Sequence, residues 1–300
     1  MRWLRRSGRS RAARGGSAAC AAALLALAGC GAPGDGAHHH RPRATHSAAP
    51  VWNTRPASLA AVGDSITRGF DACGLLSDCP AVSWSTGTDA SVDSLAVRLL
   101  GAAGARTHSW NAARSGARMA DLPAQMAEVA PHRPALVTVL AGANDACRPS
   151  VSGMTQVAAF RASFTAALRR LRAASPSSQV YVASVPDLRR LWSQGRANPL
   201  GREVWKLGIC ASMLKDASST GPAATARRQA VYDRVVAYNG ALRDVCGRDP
   251  RCRYDGGAVF DYRFSAALLS PWDWFHPGKP GQGKLAEIAY TRVTAARAAP

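Results

Sequence analysis

Residues 59–67 read Leu-Ala-Ala-Val-Gly-Asp-Ser-Ile-Thr, an apolar run followed by Gly-Asp-Ser. The apolar run 59–62 predicts a short buried strand, which Gly63 interrupts. A serine just beyond a parallel strand holds its hydroxyl at the carboxyl edge of the sheet, where open α/β sheets build their sites. Gly63 permits the sharp exit, and the N–H of Ser65 can face the place where an oxyanion would form. Gly-Asp-Ser is also common in ordinary turns, so the interpretation depends on partners elsewhere in the chain.

Three later stretches supply partners for a reactive serine: Asn111-Ala112-Ala113-Arg114-Ser115-Gly116, Gly142-Ala143-Asn144-Asp145 and Asp273-Trp274-Phe275-His276. Strand-like runs, 106–110 and 135–140, precede the first two, so both are expected at the same sheet edge as Ser65. The Asp-x-x-His spacing brings a carboxylate and an imidazole together within about one turn of backbone. The carboxylate of Asp273 can then hold the Nδ1–H of His276 and leave Nε2 free to accept the Ser65 proton.

These four stretches, in this order, resemble the SGNH or GDSL hydrolase superfamily, whose name lists the Ser, Gly, Asn and His found in them. The resemblance covers the chain from about residue 59 to the C-terminal helix. It implies that Ser65 is the nucleophile, His276 the general base and acid, and Asp273 the residue that orients His276. It also implies an oxyanion hole formed by the N–H groups of Ser65 and Gly116 and the side-chain amide of Asn144. No cofactor or metal is expected.

Apolar runs and amphipathic stretches alternate from residue 59 to the end, which predicts a parallel sheet covered on both faces. The family's architecture fits this pattern: a three-layer α/β/α sandwich with a flavodoxin-like, five-stranded parallel sheet. The runs assigned to strands are 59–62, 106–110, 135–141, 180–185 and Ala258-Val259-Phe260-Asp261. The last of these is the fifth strand of the predicted sheet.

The segment 188–220 carries scattered apolar residues in an otherwise polar sequence punctuated by Gly and Pro. They are Trp192, Trp205, Leu207, Ile209 and Met213. Exposed apolar groups here would form an acyl-chain pocket or a lid. Packing beneath a disulfide is the alternative, and the sequence does not choose between the two.

The first 30 residues are predicted to be an export signal. Six arginines precede the apolar stretch 18–28, which is too short to span a membrane. Leu27-Ala28-Gly29-Cys30 resembles a bacterial lipobox, in which Cys30 becomes the lipidated first residue after cleavage. A plain secretory signal cut near the same place is the alternative. The protein is therefore expected to be exported, and either secreted or lipid-anchored on the outer face of the bacterial membrane.

Residues 31–56 lack apolar periodicity and are rich in Gly, Pro, Ala and His. Such a composition buries too little surface to offset the entropy of ordering, so a disordered linker is predicted. The hydrolase domain is then assigned to residues 57–300.

Six cysteines remain once the leader is removed, and an even number in an exported chain predicts disulfides. They are Cys73, Cys79, Cys147, Cys210, Cys246 and Cys252. Fifteen pairings exist for six cysteines. Proximity favours a bond between Cys73 and Cys79 and one between Cys246 and Cys252, which leaves Cys147 with Cys210. That last bridge would tie the loop of Asn144 to the segment 188–220. No Cys-x-x-Cys occurs, so the pattern disfavours a structural zinc site.

The formal net charge of +19 falls to +13 without the six leader arginines. A basic surface could attract anionic lipids or wall polymers. A composition rich in Ala and Arg can also reflect genome base composition alone. The basic residues are scattered and no aromatic-interleaved basic stripe occurs, so a nucleic-acid partner is not expected.

The sequence thus predicts a serine hydrolase that cleaves carboxylic esters through an acyl-enzyme. Lipid esters, including phospholipid acyl esters, are the first choice of substrate because of the apolar segment and the predicted membrane location. Acetyl esters on carbohydrate are the second. A surface binding protein that keeps the fold without the chemistry is the hypothesis from another class.

Overall fold

A computed structural model describes residues 50–298 of the protein, and a five-stranded sheet lies at its centre. The strands are β1 (Leu59–Gly63), β2 (Ser109–Asn111), β3 (Leu136–Leu140), β4 (Gln179–Val182) and β5 (Cys252–Tyr254). The helices are α1 (Ser65–Arg68), α2 (Leu95–Thr107), α3 (Leu122–Val129), α4 (Ala143–Ala146), α5 (Val157–Ala174), α6 (Leu188–Gly195), α7 (Pro199–Trp205), α8 (Ala211–Leu214), α9 (Pro222–Cys246), α10 (Ala258–Asp261) and α11 (Lys279–Thr294). Within residues 50–298, no helix is both long enough and apolar enough to cross a membrane.

The strand order is β2-β1-β3-β4-β5, and every neighbouring pair is parallel. This is the flavodoxin-like order, so the predicted fold class is confirmed. The chain moves outward from β1 to β2 and then returns to the other side of β1 as β3. The crevice for a ligand in such sheets lies at this reversal, beyond the carboxyl ends of β1 and β3.

Helices cover the sheet in two layers. Because parallel crossovers are right-handed, α2, which links β1 to β2, lies on one face, and α3, α5 and α9, which lead the chain in the opposite direction, lie on the other. The contacts agree: α3 packs on α5 and α5 on α9, whereas α11 packs on α2. The central strands β1, β3 and β4 are buried throughout, as expected for a sheet covered on both faces.

The fifth strand was predicted in the wrong place. Residues 258–261 form the short helix α10, and the edge strand is β5, at residues 252–254. The buried carboxylate of Asp255 shapes the turn between them by accepting hydrogen bonds from the N–H groups of Gly257 and Val259. A four-residue apolar run does not distinguish a strand from a helix, and the half-buried β5 has no apolar run to reveal it.

The second strand is also shifted from its prediction at 106–110. Helix α2 continues to Thr107, and β2 begins only at Ser109. The predicted run 106–110 therefore combines the end of α2 with the start of β2, because only His108 separates the two.

The predicted leader 1–30, with Cys30, lies outside the described residues, as does most of the predicted linker 31–56. The final part of that linker, however, contacts the domain. The indole Nε1 of Trp52 donates to the carbonyl of Val293 at 2.9 Å, and the N–H of Asn53 donates to Gln179. Contacts with the domain are therefore already made at Trp52, which packs against the core and is covered by Arg253.

Three disulfides link Cys73 to Cys79, Cys147 to Cys210 and Cys246 to Cys252. These are the pairs that proximity favours in the sequence. The second joins the end of α4 to the segment 188–220, where Ser212 adds hydrogen bonds to the backbone of Ala146 and Arg148. The segment is thereby fixed beside the carboxyl end of β3.

Candidate active site

Ser65 leaves the sheet through a turn that only glycine can make. Gly63 has φ +151°, and a Cβ built there would lie 2.2 Å from the carbonyl oxygen of Leu140 on β3. Asp64 then caps α1, because its Oδ1 accepts from the N–H of Ile66 at 3.0 Å. Ser65 is the first residue of this helix and is almost completely buried, at 7 % exposure. The hydroxyl is therefore held in one place at the carboxyl end of β1.

Three side chains from the two ends of the domain are hydrogen-bonded in series. The Oγ of Ser65 lies 2.9 Å from the Nε2 of His276, and the Nδ1 of His276 lies 2.5 Å from the Oδ2 of Asp273. The Oδ1 of Asp273 accepts the backbone N–H groups of Phe275 and His276, each at 2.9 Å. The fully buried carboxylate thus has partners on both oxygens, and the imidazole is held in one orientation.

The charges around His276 favour its protonated form. Burial by itself would lower the pKa of His276, but the Asp273 carboxylate and its hydrogen bond outweigh burial and raise the pKa above its ordinary value. Asp64 and Asp71 act in the same direction from farther away. Burial would also raise the pKa of Asp273, yet His276 and the N–H donors hold it below its ordinary value. His276 is therefore a good acceptor for the proton of Ser65.

Asp64 is buried beside the same group. Burial raises the pKa of Asp64 to about 7, against the opposing effects of its hydrogen bond from Ile66 and of His276. Its Oδ2 has no hydrogen-bond partner among residues 50–298.

The structure places Asn144 at the site and Gly116 at its margin. Asn144 lies in α4, just beyond β3, and its Nδ2 donates one hydrogen bond to the carbonyl of Ala117 at 3.0 Å. An amide nitrogen carries two hydrogens, so the second is free to point into the pocket. Gly116 sits on an exposed loop with φ +81° and does not line the cavity described next, although Ala117 ties its loop to Asn144.

A cavity of about 260 Å³ opens beside Ser65. Ser65, Asn144 and His276 lie on its wall together with a mostly apolar set: Ile66, Ala143, Cys147, Leu188, Leu191, Gly208, Ile209, Cys210, Phe275 and Pro277. The segment 188–220 therefore contributes to the pocket. It also packs beneath it, because Trp205 and Met213 are buried and the indole Nε1 of Trp205 donates to the carbonyl of Asp273 at 2.7 Å. The segment thus both lines the pocket and packs into the core, and its role toward an acyl chain stays a prediction.

Two buried glutamines brace the turn and were not identified from the sequence. Gln125 on α3 accepts from the N–H of Gly63 at 2.7 Å and donates to its carbonyl at 2.9 Å. Gln282 on α11 donates to the carbonyl of Ile66 and accepts from the N–H of Trp84, both at 2.9 Å. Each glutamine lies on the face of its helix where the periodicity predicts buried apolar residues. A polar residue on that face is the sequence signal by which it could have been identified.

One group in the described part of the chain has the composition of a metal site. A carboxyl oxygen of Asp71, one of Asp273 and a ring nitrogen of His276 lie within 4.8 Å of one another. The groups from Asp273 and His276 are already hydrogen-bonded to each other, so a cation would compete with that bond.

A serine, a histidine and an aspartate bonded in series at the edge of a parallel sheet form an arrangement typical of serine hydrolases. Residues 61–284 match the model of the GDSL-like lipase/acylhydrolase family. The match spans well over half of the chain, and the chain belongs to this family. The resemblance found in the sequence is thus confirmed.

Several solved structures are similar to this chain. The extracellular lipase of Streptomyces rimosus is 19% identical, with 79% of this chain and 99% of that chain covered and a TM-score of 0.45. Phospholipase A1 of Streptomyces albidoflavus NA297 is 20% identical, with 79% and 99% covered and a TM-score of 0.43. A family 3 carbohydrate esterase of Clostridium thermocellum is 16% identical, with 78% and 93% covered and a TM-score of 0.46. No curated protein sequence matches this chain.

The brace from Gln125 predicts a measurable cost when it is removed. Gln125→Leu keeps the side chain's approximate size but leaves the buried N–H of Gly63 without an acceptor, which should lower the free energy of unfolding by about 1–3 kcal/mol. Urea unfolding followed by tryptophan fluorescence measures this. Gln229→Leu, on the exposed face of α9, is the matched control and should change stability by less than about 0.5 kcal/mol. Equal stability of the two variants would contradict the bracing role.

Proposed function

We propose that the protein is a serine hydrolase that cleaves carboxylic esters through an acyl-enzyme intermediate. The observation that carries this proposal is the series Ser65 Oγ, His276 Nε2, His276 Nδ1 and Asp273 Oδ2, with separations of 2.9 and 2.5 Å. Membership of the GDSL-like lipase/acylhydrolase family supports it.

The first half of the reaction forms the acyl-enzyme. The Oγ of Ser65 attacks the ester carbonyl carbon while its proton passes to the Nε2 of His276. Asp273 stabilises the imidazolium that results. When the tetrahedral intermediate collapses, the carbon–oxygen bond to the alcohol breaks and His276 returns the proton to the departing oxygen. The alcohol leaves, and the acyl group remains on Ser65.

The second half releases the acid. A water molecule gives a proton to His276 and attacks the acyl carbon, and His276 then protonates the Oγ of Ser65 as the acid departs. The negative oxygen in both steps needs hydrogen-bond donors already in place. We assign this task to the N–H of Ser65 at the start of α1, the second N–H of the Asn144 amide and, on its flanking loop, the N–H of Gly116.

We further propose that the substrate is a lipid or other acyl ester with a short or medium acyl chain. Ile66, Leu188, Leu191 and Ile209 line the cavity next to Ser65, and such apolar side chains can hold a hydrocarbon chain. Its volume of about 260 Å³ lies just under the range of about 300–1,000 Å³ that is usual for sites that hold whole drug-sized ligands. The cavity therefore has room for a short or medium acyl chain, and a longer chain would extend beyond it.

We also propose that the protein is exported and is either secreted or tethered to the membrane through lipidated Cys30. The basic and apolar leader and the lipobox-like residues support it. The three disulfides add support, because disulfides persist mainly in oxidising compartments.

A fluorophosphonate probe tests the proposed nucleophile. The full-length protein should be labelled on one residue, identified as Ser65 by peptide mass spectrometry, and Ser65→Ala should abolish both labelling and hydrolysis of p-nitrophenyl butyrate. Ser152→Ala, at an exposed position away from the cavity, is the control and should behave as the unmodified protein. A folded protein that takes no label would instead favour a binding protein of the same fold.

The oxyanion role of Asn144 predicts a loss in turnover. Asn144→Ala removes one donor to the negative oxygen, and such losses slow comparable enzymes by about 100- to 1,000-fold in kcat. Steady-state kinetics on p-nitrophenyl butyrate measure this, with circular dichroism to show that the variant is folded. Asn144→Gln, which keeps an amide on a longer stem, should recover part of the rate. Undiminished turnover in the alanine variant would refute the role.

Ile209 should set the acyl-chain preference. On p-nitrophenyl esters from acetate to palmitate, the unmodified protein should prefer butyrate to octanoate, and Ile209→Phe should lower kcat/KM for octanoate relative to acetate by about tenfold or more, because it narrows the cavity. Ile209→Ala should shift the preference toward longer chains. An unmodified protein that accepts only acetate would favour the carbohydrate acetyl esters instead.

A further inference from the structure

Asp71 is a buried carboxyl group that the proposed mechanism does not use. It lies in the loop after α1, two residues before the Cys73–Cys79 disulfide, with φ +55° and no exposed surface. Its backbone is fixed on both sides: its N–H donates to the carbonyl of Ser77 at 3.0 Å, and its carbonyl accepts the hydroxyl of Ser270 at 2.5 Å. Ser270 stands just before the loop that carries Asp273, so the two loops are held together.

The carboxyl of Asp71 points toward the candidate active site. One of its oxygens lies within 4.8 Å of a carboxyl oxygen of Asp273 and a ring nitrogen of His276. Neither of its oxygens has a hydrogen-bond partner among residues 50–298. The N–H groups of Leu76 and Ser77 face it and lower its pKa, but they lie outside hydrogen-bonding geometry. A buried carboxyl without partners is costly, and such a cost calls for a compensating interaction.

We propose that Asp71 is a positioning residue that stabilises the imidazolium form of His276 as the proton of Ser65 arrives. This inference rests on the proposed hydrolase function and adds a second buried carboxyl group to the one that orients the imidazole. Asp71 touches neither substrate nor the reacting atoms, and it acts only through His276.

The electrostatic coupling follows from the groups that face each other. Burial and the neighbouring Asp273 carboxylate raise the pKa of Asp71, whereas a protonated His276 lowers it. In return, three carboxyl groups raise the pKa of His276: Asp273 from the loop of His276 itself, Asp64 from the turn after β1, and Asp71. A proton on His276 therefore favours the ionised form of Asp71, and the two groups titrate as a linked pair.

Asp71→Asn separates this role from a purely structural one. Asparagine has the same shape and tolerates the left-handed backbone as well as aspartate does, so the loop should keep its conformation. The substitution removes only the carboxylate. If Asp71 serves the loop alone, the variant should leave the titration of His276 where it was.

The titration of His276 is the direct test. The full-length protein, labelled with ¹⁵N-histidine, is titrated by NMR, and the His276 signals are identified by their absence in His276→Gln. Asp71→Asn should move the midpoint of His276 to lower pH by about one pH unit. The acidic limb of the plot of kcat/KM against pH should also move to lower pH. The value of kcat/KM on the plateau should fall by up to about tenfold.

Asp93→Asn is the matched control. Asp93 also has a left-handed backbone, with φ +50°, but its side chain is half exposed and pairs with Arg98 at 3.1 Å. Its loss removes the same charge from the chain without touching the site, so neither the midpoint nor the limb should move. An unchanged midpoint in a folded Asp71→Asn variant overturns the proposal.

A second measurement needs no variant. In the unmodified protein labelled with ¹³C-aspartate, the side-chain carboxyl signal of Asp71 should shift at the pH where His276 titrates, and a signal that stays flat through that midpoint overturns the coupling. Neither NMR readout depends on turnover. If the phosphonate probe fails to label Ser65 while the titrations remain linked, the hydrolase function fails and the coupling stands.

Discussion

The close approach of the β1 and β3 backbones at their carboxyl ends is the constraint on which the site depends. Gly63 lies opposite Leu140 in parallel register, and a side chain at Gly63 would collide with the Leu140 carbonyl. The same carbonyl accepts the N–H of Asp64 at 3.3 Å. Because the strands end side by side, the residues that follow them, Ser65 and Asn144, leave the sheet at one rim. The topological reversal of the sheet lies at this point, so the crevice next to it is free of a crossing connection.

Buried polar side chains fix the loops around that rim more firmly than apolar contacts alone would. Gln125 and Gln282 reach the turn after β1 from helices on opposite faces of the sheet, and Trp205 reaches the carbonyl of Asp273 from the segment 188–220. Each bond is directional, and breaking it would leave a buried donor or acceptor unsatisfied, which costs more than the bond contributes. These hydrogen bonds hold segments that are far apart in sequence in fixed positions around the site.

The sequence predicts the sheet where burial leaves a clear pattern and fails where it does not. The central strands β1, β3 and β4 are buried on both faces, and their runs were placed nearly correctly. The edge strand β5 is half buried, reads Cys-Arg-Tyr, and gives no apolar run, so the neighbouring run 258–261 was chosen in its place. The same limit shifted the start of β2, the other edge strand, by three residues. Periodicity reports burial, and edge strands are only partly buried.

The residues of the site differ in the same way: some stand in recognisable sequence motifs, and others are brought there only by the fold. Ser65, Asn144 and His276 could be found because each stands in a short motif of fixed spacing, whereas the carboxyl of Asp71 has no such signal. Its loop is held at the site by the Ser270 hydroxyl, which donates to the backbone carbonyl of Asp71, and a contact between positions 199 apart cannot be deduced from the sequence. An ionised carboxyl that is buried without a hydrogen bond is costly, and a positive charge nearby offsets that cost. A protonated His276 would supply that charge, and in the proposed reaction it forms as Nε2 accepts the proton of Ser65, so this step would offset the cost of burying Asp71.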